Sequence, residues 1–190
     1  MELLEKRILK DGVVKPGGIL KVDSFLNHQI DPMLLLEMAL ELKWLYEGQE
    51  INKVLTVEAS GIALATMTGY VLSCPVVFAK KSKSKNISDD VYSAEVESFT
   101  HGNTNTVIVS KEYLGAGDKV LLIDDFLATG AALVGLKSLV EQAGGTVVGA
   151  GIAVEKAFQG GGELLRKGGM RIESLARIAS MGDDGSLSFC

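Results

Sequence analysis

A chain of 190 residues that is 47% hydrophobic and 23% charged buries a core of its own and is too apolar to be disordered. Its formal net charge of -5 argues against a general nucleic-acid binder, and it holds no uncharged apolar run of about 20 residues to span a membrane. The two cysteines, Cys74 and Cys190, are too few and too far apart for a disulfide framework or a zinc site, which suits a reducing cytoplasm.

The opening MELLEKRILKDG is charged throughout and lacks a signal-peptide pattern. It predicts a helix over residues 3–10, ended by Gly12. Residues 13–30 read as irregular, with one short apolar stretch at 19–22. Asp31-Pro32 then marks a helix start, an N-cap aspartate before a proline at the first helical position. Residues 33–46 continue it with one broad apolar face, and Gly48 ends it. A strand is expected over 51–57, a tight turn over 58–61, a helix over 62–72 and a short apolar strand over 75–79. That order is the strand–helix–strand unit of a parallel sheet.

Residues 80–90, KKSKSKNISDD, have no apolar periodicity and predict a mobile polar loop. Residues 92–99 and 104–110 alternate like two antiparallel strands joined by His101-Gly102-Asn103. A buried strand over 119–123, a helix over 131–142 and a strand over 146–154 repeat the first unit. The glycine-rich last third predicts a short helix over 163–167 and a strand with an exposed face over 171–178. No long-period repeat, linker or low-complexity tract interrupts the chain. The expected architecture is α/β, a mostly parallel twisted sheet flanked by helices, with a small lobe from the two chain ends.

The chemistry concentrates in residues 120–133, VLLIDDFLATGAAL. A buried strand runs into Asp124 and Asp125, and Ala128-Thr129-Gly130-Ala131-Ala132 then opens a helix. In an open parallel sheet, ligands gather at the carboxyl ends of strands. Small residues admit a ligand close to the backbone, and the N–H groups of a helix N-terminus suit a phosphate. Thr129 adds a hydroxyl. The two acids repel phosphate and so require sugar hydroxyls or a hydrated divalent cation. Phosphate, hydroxyls and cation together describe a ribose phosphate. Taken alone, two acids and a threonine also fit a polar strand end with Thr129 as helix cap.

The whole fourteen-residue pattern resembles the signature by which type I phosphoribosyltransferases bind 5-phosphoribosyl-1-pyrophosphate (PRPP). The resemblance implies that family's fold over the single domain 1–190, with a core at about 31–155 and a hood from about 1–30 and 156–190. It also implies PRPP at Ala128–Ala132, ribose hydroxyls on Asp124 and Asp125, and Mg²⁺ chelated by PRPP itself, with no metal ligand from the chain. His28 and His101 are too isolated to suggest a metal site or a triad. Hypoxanthine-guanine members carry an aspartate where Ala128 stands, so this loop is closer to the adenine- and xanthine-using branches. No side chain in it is an obvious general base.

Other segments fit the same resemblance. Glu58-Ala59-Ser60-Gly61 is similar to the family's pyrophosphate loop, which often holds a non-proline cis peptide. On its own it reads equally as an ordinary turn with Ser60 as N-cap. The lysines of 80–85 match a basic segment that closes over the reaction, with Lys81 contacting the leaving pyrophosphate in its own subunit or across a dimer. Their plain reading is a solvated loop. Lys156 matches a lysine that contacts the base, although a strand-end lysine also snorkels without a ligand. Phe126 is placed to stack on a flat ring or to fill core. Residues 20–29, LKVDSFLNHQ, and 173–178, ESLARI, are similar to the xanthine-using branch, in which the N-terminal segment covers the purine with contacts matching Leu20 and Asn27. The resemblance therefore implies xanthine as base, with guanine or hypoxanthine as the alternative, and a homodimer. A PRPP-sensing regulator is a weaker alternative, because the fold would consume the whole chain and leave no added DNA-binding domain.

Overall fold

A computed structural model describes residues 1–81, 90–97 and 104–190. The expected polar loop lies outside them from residue 82 to 89, as do the turn at 101–103 and the last two residues of the strand expected over 92–99.

The chain opens with α1 (Glu2–Asp11), followed by β1 (Val13–Lys15), β2 (Ile19–Lys21) and a π-helical turn over Asp23–Asn27. Residues 13–21 thus form an antiparallel hairpin instead of irregular chain. Pro16 and two glycines at positive φ, Gly17 and Gly18, make its turn, and Leu20 is buried between exposed Ile19 and Lys21. In α2 (Pro32–Leu45) the Asp31 carboxylate accepts from the N–H groups of Met33 and Leu34, both at 3.2 Å, as the Asp-Pro start predicted.

The first βαβ unit is β3 (Lys53–Val57), α3 (Gly61–Leu72) and β4 (Val76–Ala79). A two-stranded ribbon follows, β5 (Val91–Glu97) against β6 (Thr104–Ser110). The second unit is β7 (Lys119–Leu127), α4 (Ala131–Gln142) and β8 (Thr146–Lys156). A 3₁₀ turn over Ala157–Gln159, α5 (Gly161–Lys167), β9 (Ile172–Met181) and β10 (Leu187–Phe189) complete the fold.

Six strands make one sheet in the order β10-β9-β8-β7-β3-β4, parallel throughout except for β10. Side chains alternate across it. Val54, Leu121 and Ile123 join α1, α2 and α3 in one core, while Leu55, Val120 and Leu122 join α4 and the β5–β6 ribbon in the other. Three further features of the sheet differ from expectation. β7 continues through Asp124 and Asp125 to Leu127, because β8 keeps pairing with it as far as Glu155. β9 is an interior strand with Leu175, Ala176 and Ile178 buried, not one with an exposed face. β10, a three-residue edge strand, had no counterpart in the sequence pattern.

Candidate active site

The chain runs outward from β3 to β4 and then returns to place β7 on the other side of β3. β3 and β7 are therefore the switch point of the sheet, where the following helices leave toward opposite faces and open a crevice at the strand ends. A cavity of about 670 Å³ lies there. Asp124, Asp125, Phe126, the loop from Ala128 to Ala132, Ser60, Lys81, Leu20, Asn27 and Lys156 all line it. Residues up to 136 apart in sequence thus meet in one space. Ala59 and Gly61 do not line it. Ala59 is exposed, and Gly61 is buried where a Cβ would overlap Thr56 Oγ1.

Asp124 and Asp125 are only 5% and 7% exposed, and the Asp125 N–H donates to Asp124 Oδ1 at 3.0 Å. Burial, then the adjoining Asp125 carboxylate, pushes the Asp124 carboxyl well above the ordinary aspartate range; the Lys81 ammonium pulls it back less strongly. Two acids held this way suit a ligand that brings hydroxyl donors or a cation.

Beyond them, Gly130 has φ 89°, a left-handed conformation open chiefly to glycine, and α4 starts at the next residue. No side chain caps α4, so Thr129 is not its cap. Thr129 is instead exposed on the cavity wall. The first amides of a helix lack intrahelical partners and are free to meet an anion.

The second loop holds a cis peptide between Glu58 and Ala59. Ser60 has helical φ and ψ and makes no capping bond, so the N-cap reading fails and its side chain is left to the cavity. Glu58 also lines the cavity, and its Oε1 accepts from the Lys81 N–H at 2.6 Å. That contact went unread in the sequence. It follows from the pairing of β3 with β4, which sets Val57 beside Ala79 and Glu58 beside the start of the lysine segment.

The β1–β2 hairpin leans over the opposite side. Lys156 Nζ donates to the Gly18 carbonyl at 2.9 Å and stands 5.6 Å from the centre of the Phe126 ring. Burial lowers the Lys156 pKa. The Gly17 N–H donates to Asp183 Oδ1 at 3.2 Å, tying the hairpin to the C-terminal segment. Gly17, Gly18, Lys21 and Asp23 line the cavity although the sequence reading did not single them out. The Gly17-Gly18 pair was the available signal for a turn close to a ligand.

An open α/β sheet whose switch point gathers a small-residue helix start, two acids and a second loop is the arrangement expected of a ribose-phosphate transferase. The model of the phosphoribosyl transferase domain matches residues 28–164, and the chain belongs to that family. It is 53% identical over 190 residues to the xanthine phosphoribosyltransferase of Lachnoclostridium phytofermentans, covering 100% of this chain and 98% of that one. It is 55% identical over 184 residues to the xanthine phosphoribosyltransferase of Finegoldia magna, covering 97% of each. Among solved structures, the adenine phosphoribosyltransferase of Thermoanaerobacter pseudethanolicus aligns with a TM-score of 0.75 at 24% identity, covering 92% of this chain and 99% of that one. The Trypanosoma brucei enzyme in complex with AMP, pyrophosphate and ribose-5-phosphate aligns at 0.78 and 18% identity, covering 96% and 82%. The shared fold is the type I phosphoribosyltransferase fold.

Proposed function

We propose that the chain is a xanthine phosphoribosyltransferase, transferring the 5-phosphoribosyl group of PRPP to xanthine to give XMP and pyrophosphate, a purine-salvage step. The observation that carries this is one cavity shared by the anion loop, the acid pair and the base-side residues Leu20, Asn27, Phe126 and Lys156. The full-length identity to two xanthine phosphoribosyltransferases supports the choice of base.

In this reading the amides of Ala128–Ala132 and the Thr129 hydroxyl hold the 5′-phosphate, and Asp124 and Asp125 accept from ribose hydroxyls. Ala59, Ser60 and Gly61 make the pyrophosphate loop, in which Ser60 faces the cavity and Ala59 and Gly61 shape the backbone around it, and Lys81 meets the leaving pyrophosphate. Mg²⁺ enters as part of the substrate, chelated by PRPP. Breaking the bond at the anomeric carbon develops oxocarbenium-like charge, as in glycosyl transfer generally. The chain then contributes positioning, neutralisation of the leaving group and exclusion of water. Phe126 stacks on the purine, while Lys156 and Asn27 offer donors to its oxygens. The working protein is a cytoplasmic homodimer with small-molecule substrates and neither nucleic acid nor membrane as partner. One domain spans 1–190, its core at about 31–155 and its hood from 1–30 and 156–190. No helix among the described residues is long and apolar enough to cross a membrane.

A steady-state assay of purified protein with Mg·PRPP and xanthine, guanine, hypoxanthine or adenine tests this. Xanthine is expected to have the highest kcat/KM. A higher value for guanine or hypoxanthine moves the assignment to another purine specificity. PRPP binding without turnover of any base moves it to a PRPP-sensing regulator.

A further inference from the structure

Behind the anion loop lies an ionic cluster built on one buried glutamate, none of whose members lines the cavity. Glu155 is 1% exposed, one residue before Lys156 at the end of β8. Arg166 of α5 grips its carboxylate with both arms, at 2.8 Å to Oε1 and 2.7 Å to Oε2. The Ser174 hydroxyl of β9 donates to Oε2 at 2.5 Å, and Arg177 Nε lies 3.3 Å from it. Arg166 also donates from Nη2 to the Ser174 hydroxyl at 3.3 Å and from Nε to the Ile172 carbonyl at 3.2 Å. Burial alone would raise the Glu155 pKa, but these partners outweigh it and hold the carboxyl below its ordinary range.

The cluster fixes α5, and α5 is wedged against the anion loop. A Cβ at Gly161, the first residue of α5, would overlap the Thr129 carbonyl carbon and the Ala128 carbonyl oxygen. A Cβ at Gly162 would overlap Glu155 Oε1. The two adjacent glycines therefore let one helix end lie against the loop and the ion pair together. One turn further along the same helix, Leu165 closes on Gly130. A bidentate guanidinium–carboxylate pair fixes orientation as well as distance, so α5 has little freedom to retreat.

We propose that Glu155 and Arg166 are positioning residues for the 5′-phosphate loop. They clamp α5 so that Gly161 and Leu165 hold the Ala128–Gly130 backbone in its anion-binding shape. The inference rests on the reading of that loop as the PRPP 5′-phosphate site. A loop displaced by about 1 Å can cost on the order of 100-fold in a reaction that depends on alignment. Because the clamp acts through the loop, its loss falls on PRPP and not on the base.

The test uses Arg166→Lys, which keeps the charge and breaks the fork, and Gly161→Ala, which pushes on the loop directly. Ser174→Ala removes the hydroxyl that donates to Glu155 and accepts from Arg166, and serves if Arg166→Lys does not fold. The readouts are KM for each substrate, kcat, Tm, and calorimetric titration with Mg·PRPP alone. Both main variants are expected to weaken PRPP binding and raise its KM by about 10- to 100-fold, with KM for xanthine within about twofold of wild type. Ser174→Ala should shift the same parameter by less. A merely structural role would lower Tm or the active fraction while leaving the PRPP constants unchanged. That result, or equal rises in both KM values, overturns the proposal. So does a Gly161→Ala effect without one from Arg166→Lys. Failure of wild-type protein to bind PRPP sinks the proposed function itself, so the two failures are separable.

Discussion

Asp124 is held in the fold at a cost to its own charge. Burial, and after it the adjoining Asp125 carboxylate, raises its pKa, so the ionised carboxylate is less favourable in the native protein than in the unfolded chain. The sign follows. Below the ordinary aspartate pKa both states are protonated and no penalty exists. As pH rises from that value toward the raised native one, the unfolded chain loses its proton first and the penalty grows, complete once pH has passed the native value. Asp124→Asn removes it and keeps an acceptor for the Asp125 N–H. The variant is therefore expected to melt at or above wild type at neutral pH, the difference shrinking as pH falls toward 4, the ordinary aspartate value. Its kcat/KM should fall by about one to two orders of magnitude, the cost of losing a charged hydrogen-bond partner for a sugar hydroxyl. Asp125→Asn should lose activity similarly with little change in fold. Thermal melts across pH beside steady-state rates decide it. Near wild-type kcat/KM in either variant removes that residue from the ribose site. These acids were legible because the signal is local: a strand, two acids and a small-residue helix start within fourteen residues. Glu58 was not, because its hold on Lys81 depends on which strands pair.

At the scale of elements, the hood has the most to say about specificity. Xanthine carries an oxygen at C2, guanine an amino group and hypoxanthine only hydrogen. Lys156 is a donor, and Asn27 presents an amide that donates as well as accepts. Both line the cavity, Asn27 at the end of the π-helical turn and Lys156 at the end of β8. Lys156 already spends one hydrogen on Gly18, which anchors the hairpin and leaves two for a ligand. Asn27 is exposed, so its contribution arises only when a base covers it. Asn27→Ala is expected to lower kcat/KM for xanthine by about 2- to 12-fold, the value of one neutral hydrogen bond, and that for hypoxanthine by less. An equal loss for both bases defeats this account of selectivity and leaves the enzyme class standing. The elements carrying Lys156 and the acids were readable from their apolar runs. The hairpin was not, since three residues per strand give too short an alternation to detect. β9 was misjudged because Ser174 reads as a solvent-face residue, whereas it turns inward to donate to the buried Glu155. Buried polar residues with partners defeat any rule that equates polar with exposed.

For the whole molecule, the α/β plan was readable because two strand–helix–strand units force parallel neighbours and helices on both faces. The pairing order around β3 was not, as either unit could have been placed on either side. The surface left by that order bears on assembly. On α2, Met33, Leu40 and Trp44 stand 65%, 44% and 65% exposed at spacings of seven and four, which puts them on one stripe. Lys43 Nζ donates to the Val71 carbonyl at 2.9 Å, drawing the end of α2 to the end of α3, where Tyr70 is 76% exposed. Large apolar side chains gathered on two adjoining helices are costly to leave in water and mark an interaction face. A second copy of the chain is the occupant this reading expects, because the proposed homodimer needs a face and a closed pair buries the same patch on both partners. Sedimentation equilibrium at micromolar concentration should give twice the 20.2 kDa chain mass. Trp44→Glu combined with Tyr70→Glu should shift it to the single-chain mass, since pairing would bury the introduced charges unpartnered. A wild-type mass of one chain ends the dimer reading. A double variant that stays dimeric places the interface on another face, whereas one that becomes monomeric tells, by whether its kcat/KM holds or falls, whether Lys81 serves its own cavity or its partner's.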